Sequence, residues 1–163
     1  TRRPTGGGIV PHLDDLTFSC VFPAEWMLRP ADIYRRLHTA ILGGLRQAGL
    51  AARLCTKGGS PAPQGPVGAS QCFVQPVVLD ILTEAGKILG GAIRRYGETV
   101  LYQGSLQLPD ARRRAAEMEA VISRALANEW VLQWERRELP RDVQAVAAEL
   151  ESKYKAEEWI RRR

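Results

Sequence analysis

At 163 residues, 45% of them hydrophobic and 25% charged, the chain has the size and balance of one globular domain with a substantial core. No run reaches the roughly 18 apolar residues a membrane-spanning helix needs, and no apolar signal segment opens the chain. The formal net charge of +5 suits acidic partners, but the arginine clusters at 112–114 and 161–163 read as solvated helix faces without any zinc-finger or RNP-type signature, so nucleic acid is not the expected partner.

Three cysteines, Cys20, Cys55 and Cys72, make an odd count without CxxC spacing. That argues against a disulfide framework or a zinc site and suits a reducing, cytoplasmic setting. The first residue is not Met, so the start reads as a truncation point. It carries TRRPTGGGIVPH, where Gly6, Gly7 and Gly8 are either a linker or an anion- and carbonyl-binding backbone turn. Arg2 and Arg3 would add charge for a phosphate or carboxylate, and His12 lies just past the turn.

LTFSCVFP follows at once. Leu16, Phe18, Cys20 and Phe22 alternate with Thr17, Ser19 and Val21, the period of a strand. Pro30 then opens a helix over 31–48, with Ile33, Leu37, Ile41 and Leu45 on one stripe and Gly49 as its stop. Residues 55–71, rich in glycine and proline, form a long loop of the kind that is functional or disordered. Three β segments are expected next, at 73–82, 86–95 and 99–108, joined by turns at 84–86 and 97–98. Residues 110–127 and a segment opened by Pro140, with Val143, Val146, Ala147, Leu150 and Tyr154 on one stripe, read as helices. The order predicts a single α+β domain over 1–163 with mostly antiparallel pairing.

Three further features carry candidate chemistry. Lys87 begins a strand containing Gly90-Gly91, and glycine inside a strand marks close approach by a ligand or by neighbouring backbone, or a bulge. Cys72 stands where the long loop meets a strand, a better nucleophile position than Cys20 in its apolar stripe or Cys55, which reads as incidental. In YQGSL, Gly104 interrupts a good strand while Gln103 and Ser105 project together, which fits either a substrate contact or a simple bulge.

Taken in order, RRPTGGGIVPH, DLTFS, CF, GKILGGAIRR, YQGSL and the ending KYKAEEW resemble the biotin/lipoate A/B protein ligase family, which includes lipoate–protein ligases and octanoyltransferases. The resemblance covers nearly the whole chain and implies that an N-terminal strand–helix section is missing. It implies a central, largely antiparallel sheet flanked by helices, related to class II aminoacyl-tRNA synthetase catalytic domains. It also implies that Arg3, Gly7 and Gly8 line an acyl or acyl-adenylate pocket, that His12 is the motif histidine, and that Lys87 contacts the acyl carbonyl. A cation there stabilises the oxyanion that develops during acyl transfer.

The CF at Cys72 is similar to the cysteine-dependent octanoyltransferases of the Bacillus type, which form a thioester on that cysteine and need no cofactor. The acyl group would come from an acyl carrier protein and pass to a lipoyl domain or a glycine-cleavage H protein. A ligase of the same family would instead use ATP and Mg²⁺ with free lipoate. A non-catalytic module that binds lipoyl domains is the reading from another class. The chain departs from the transferase pattern in having GGAIRR for GSAQ-R and YQGS for QHGS, differences that bear on the acyl pocket.

Overall fold

A computed structural model describes residues 12–26, 29–57 and 76–161. The described residues fall into two compact units, one ending at Gln133 and one beginning at Trp134.

The first unit is built on a five-stranded antiparallel sheet of β1 (Leu16–Pro23), β2 (Arg53–Leu54), β3 (Ile81–Thr83), β4 (Gly86–Tyr96) and β5 (Thr99–Leu106), in the order β1-β5-β4-β3-β2. β1 (Leu16–Pro23) alternates half-buried and exposed residues along its whole length, as its sequence requires. It pairs with β5 (Thr99–Leu106), which in turn pairs with β4 (Gly86–Tyr96). The inner two are joined by the tight turn at Gly97, which takes a φ of 54°.

α1 (Pro30–Gln47) starts with proline at its first position, after an extended Arg29. It ends at Gly49, whose φ of 86° suits a residue without a side chain. Ile33, Leu37, Ile41 and Leu45 are all buried, so the expected stripe is the core face. They form one cluster with Ile81, Leu89, Tyr102 and Leu106 of the sheet and with Met118, Ile122 and Leu126 of α2 (Ala115–Trp130). Each such side chain contributes about 1.5–3 kcal/mol on leaving water.

The region before β4 departs from the expected strand at 73–82. Residues 73–75 lie outside the described residues, and 77–80 form a turn that leaves only β3 (Ile81–Thr83) extended. The Asp80 carboxylate takes the Val77 N–H at 2.7 Å, closing the turn on itself. Leu79 adopts a φ of 76°, which costs a branched residue roughly 1–2 kcal/mol. Its N–H donates to the Cys55 carbonyl and the Cys55 N–H to that of Asp80, extending the short β2 (Arg53–Leu54) beside the turn. Cys55 is therefore buried, with its thiol on the Lys57 carbonyl, rather than incidental to a loop.

The second unit carries α3 (Arg141–Lys155) and α4 (Glu157–Arg161). Proline precedes α3 as expected, and Tyr154 stacks edge-on against Trp159. No residue of α3 is buried, so its apolar stripe is an exposed face.

Candidate active site

Lys87 is the best-defined of the expected site residues. In the pairing of β3 with β4, Ile81 faces Leu89, but Leu82 faces Lys87, so Ile88 is one residue too many. In an unbroken strand, residues 87 and 90 would point to opposite faces of the sheet. The extra residue puts them on the same face. Gly90 then supplies the room, since a Cβ there would sit 2.3 Å from Lys87 Cε and 2.5 Å from its Nζ. Bulge and glycine together steer the lysine. Its side chain is only 7% exposed, and Nζ lies 2.8 Å from Oδ2 of Asp80, itself fully buried.

Asp80 is the hub of a buried network that reaches α1. The Tyr34 hydroxyl donates to Oδ1 at 2.7 Å and accepts the Gly91 N–H at 3.1 Å. One helical turn along, His38 stacks on Tyr34 with ring centres 3.9 Å apart. His38 Nδ1 donates to the Leu79 carbonyl at 2.7 Å, and Nε2 accepts the Tyr102 hydroxyl at 2.8 Å. Burial pushes the His38 pKa down to about 4, so the ring is neutral and this tautomer fits both partners. Burial, then the Asp80 charge, drives the Tyr34 phenol well above its ordinary range, so it stays a donor.

The other expected glycines have their space filled from within the chain. A Cβ on Gly91 would meet the Tyr102 ring at 2.4 Å, and one on Gly104 would meet Phe18 at 2.6 Å. Pairing through Gly104 is unbroken on both sides, opposite Phe18 and Gly91, so of its two readings the bulge is absent, while the strand of Gly90-Gly91 does carry one, at Ile88. Gln103 is half-buried, opposite Ser19 and Ala92.

Ser105 pairs directly with Gly90, which puts its side chain on the face that carries the Lys87 ammonium. Its hydroxyl donates to Oδ2 of Asp15 at 2.7 Å, and His12 Nδ1 donates to the same oxygen at 2.7 Å. Asp15 is buried, and among the described residues its Oδ1 has no partner. Burial works to raise its pKa, but the bonds from His12 and Ser105 outweigh it, and the carboxyl sits below its ordinary range. The structure thus gathers Lys87, Gly90 and Ser105 on one face, with His12 held through Asp15. Arg3, Gly6, Gly7, Gly8 and Cys72 lie outside the described residues. Cys20 packs against the core, where burial pushes its thiol up to about 11, fitting the structural role expected of it.

Residues 1–160 match the model of the lipoyl protein ligase A/B catalytic domain. The chain belongs to that family. Among its relatives is the octanoyltransferase LipM of Bacillus subtilis, 34% identical over 113 residues, a stretch spanning 66% of this chain and 40% of that protein. The LipM of Kyrpidia tusciae is 27% identical over 199 residues, covering 97% of this chain and 72% of the relative. The chain thus spans about two-fifths of the first relatives it matches, and more of the second. Among solved structures, lipoate-protein ligase A bound with ATP superposes over 97% of this chain and 70% of its own, at a TM-score of 0.70 and 25% identity. The bipartite lipoate protein ligase of Thermoplasma acidophilum gives 0.67 at 22% identity, covering 97% and 68%. The antiparallel sheet with its helices is the class II synthetase-like catalytic fold of these ligases, as the sequence resemblance implied.

Sequence reasoning singled out Lys87, Gly90, Ser105 and His12 but not Asp80, Asp15, Tyr34 and His38, which the structure joins in hydrogen bonds or ion pairs around them. Signals existed for three of them. Asp80 interrupts the apolar run VVLDIL, and a charge inside such a run is buried only when paired. Tyr34 and His38 sit one position after Ile33 and Leu37, a second i, i+4 stripe beside the core stripe.

Proposed function

We propose that the chain is the catalytic domain of an octanoyl/lipoyl acyltransferase of protein lipoylation. In this reading the Cys72 thiolate attacks the carbonyl of an acyl-carrier thioester. A new C–S bond forms to Cys72, the old one breaks, and the carrier thiol takes a proton as it leaves. A lysine amine of a lipoyl domain or glycine-cleavage H protein then attacks the acyl-Cys72 carbonyl. The amide C–N bond forms, the Cys72 thiolate departs, and the amine loses its proton. Each step builds negative charge on the carbonyl oxygen. An ammonium has three N–H donors, so Lys87 can hold Asp80 with one and offer another to that oxygen. Arg3, Gly6, Gly7, Gly8, His12, Gly90, Gly91, Gln103, Gly104 and Ser105 would border the acyl group.

The observation that carries the reading is Lys87, a buried, bulge-steered ammonium in a chain whose relatives include octanoyltransferases. The basic balance of the chain suits two acidic protein partners met in turn. Neither step needs a cofactor. Among the described residues, no helix is long and apolar enough to cross a membrane, and the proposed setting is the cytoplasm. To test the mechanism, the protein is incubated with octanoyl carrier protein and its intact mass recorded. A thiol-labile acyl adduct that disappears in Cys72→Ser is the expected result. No adduct, or full transfer by Cys72→Ser, rules the mechanism out.

Similarity to a ligase bound with ATP favours one alternative, activation of free lipoate through lipoyl-AMP with ATP and Mg²⁺. Strict ATP dependence with free lipoate would select it. Binding of lipoyl domains without any acylation would select a non-catalytic module.

A further inference from the structure

The transferase reading gives Lys87 a task but leaves open what keeps a long, flexible side chain in one place. Lysine loses more rotamer freedom than most residues when fixed, so a buried Lys87 needs a rigid partner. Asp80 is that partner only if its own carboxylate is fixed. Three donors fix it: the Val77 N–H and Lys87 on Oδ2, and the Tyr34 hydroxyl on Oδ1. Tyr34 differs from the other two in coming from α1, 46 residues away. It also ties the carboxylate to the backbone of β4, through the Gly91 N–H next to Gly90.

The geometry assigns Tyr34 as a positioning residue for acyl transfer, locking the Asp80 carboxylate so that it holds the Lys87 ammonium over Gly90. Tyr34 acts through Asp80. The assignment rests on the transferase reading for its consequence in catalysis, but its physical content concerns Lys87 alone. Removing the Tyr34 hydroxyl leaves Oδ1 without its donor, lets the carboxylate rotate, and frees Lys87 from Gly90. A purely structural role for Tyr34 would loosen α1 as a whole and act on every group alike.

The chain has four lysines, Lys57, Lys87, Lys153 and Lys155, so three serve as internal references. The full chain is labelled with a trace of an amine-reactive ester and the modification of each lysine read by peptide mass spectrometry. Tyr34→Phe is expected to raise the labelling of Lys87 roughly ten- to a hundredfold, the worth of one hydrogen bond to a charged group, with the other three unchanged. Asp80→Asn should raise it similarly, and adding Tyr34→Phe to it should do nothing more. Unchanged Lys87 labelling in Tyr34→Phe overturns the assignment, and so does an equal rise at all four lysines. If Tyr34→Phe does not fold, as read by far-UV circular dichroism, the Asp80→Asn chain decides. Unchanged Lys87 labelling there means that Asp80 does not hold the lysine, and Tyr34 has nothing to act through. Acylation is read in parallel, with Tyr34→Phe expected to slow Cys72 acylation by the same factor. A wild-type chain that forms no acyl adduct sinks the transferase reading, while the labelling still decides on Tyr34.

Discussion

Two carboxylates are buried among the described residues, Asp80 beside Gly90 and Asp15 on Ser105, and they are used in opposite ways. Asp80 spends both oxygens, on Tyr34, Val77 and Lys87. Asp15 loads two donors, from His12 and Ser105, onto one oxygen and leaves the other buried, with no partner among the described residues. The first is the counter-charge of a buried cation. The second is an anchor for two side chains, the buried Ser105 and the half-exposed His12. Charge burial is costly unless paired, so the two should respond very differently to substitution.

Breaking the Asp80 side should cost most. Asp80→Ala leaves Lys87 buried without its counter-ion and should destabilise the fold by about 3–5 kcal/mol, measured by urea unfolding. A loss below about 1 kcal/mol would mean that Lys87 swings to water and that the network is not a constraint. The neighbouring His38 should give a pH signature. Its native pKa of about 4 lies below the ordinary 6.5, so as pH falls the unfolded chain takes up a proton that the native ring refuses. Its contribution is complete above pH 6.5 and fades as pH falls toward 4, by roughly 3 kcal/mol in all. His38→Gln should remove that part of the slope in stability against pH. An unchanged slope would place its source elsewhere.

The Asp15 side should yield less. Asp15→Ala strands the buried Ser105 hydroxyl, one neutral donor, and should cost about 1–2 kcal/mol. It should also free His12, whose ring resonances would sharpen and shift in NMR spectra; unmoved resonances would deny that the pair persists in solution. Smallest of all should be Arg114→Ala, since its pairing with Glu117 is exposed on both sides and should leave the melting temperature unchanged within error. A clear drop would show a role beyond a solvated face.

The same contrast explains how much was legible in the sequence. Alternation in LTFSCVFP and helical spacing in 31–48 gave β1 and α1 nearly to the residue, because one buried face dictates each pattern. Lys87 and Gly90 stood out because both are unusual in a strand. Their partnership did not, because it depends on an extra residue at Ile88 and Gly90-Gly91 allowed a bulge in this strand without placing it. The partners Tyr34 and Asp80 are 46 residues apart, His38 and Tyr102 are 64, and Asp15 and Ser105 are 90. Such pairings are set by how α1 and β1 lie on the sheet, which spacing along the chain does not encode. The strand expected at 73–82 was lost at 77–80 because Asp80 turned its side chain onto its own backbone.

A lysine steered by a bulge and a glycine is proposed to hold the acyl carbonyl. The decisive comparison is the rate of Cys72 acylation by octanoyl carrier protein in the wild-type chain and in Lys87→Met. A loss of at least about a hundredfold with the fold intact is expected, as when a preorganised oxyanion donor is removed. Acylation of Lys87→Met at the wild-type rate would refute that role for Lys87.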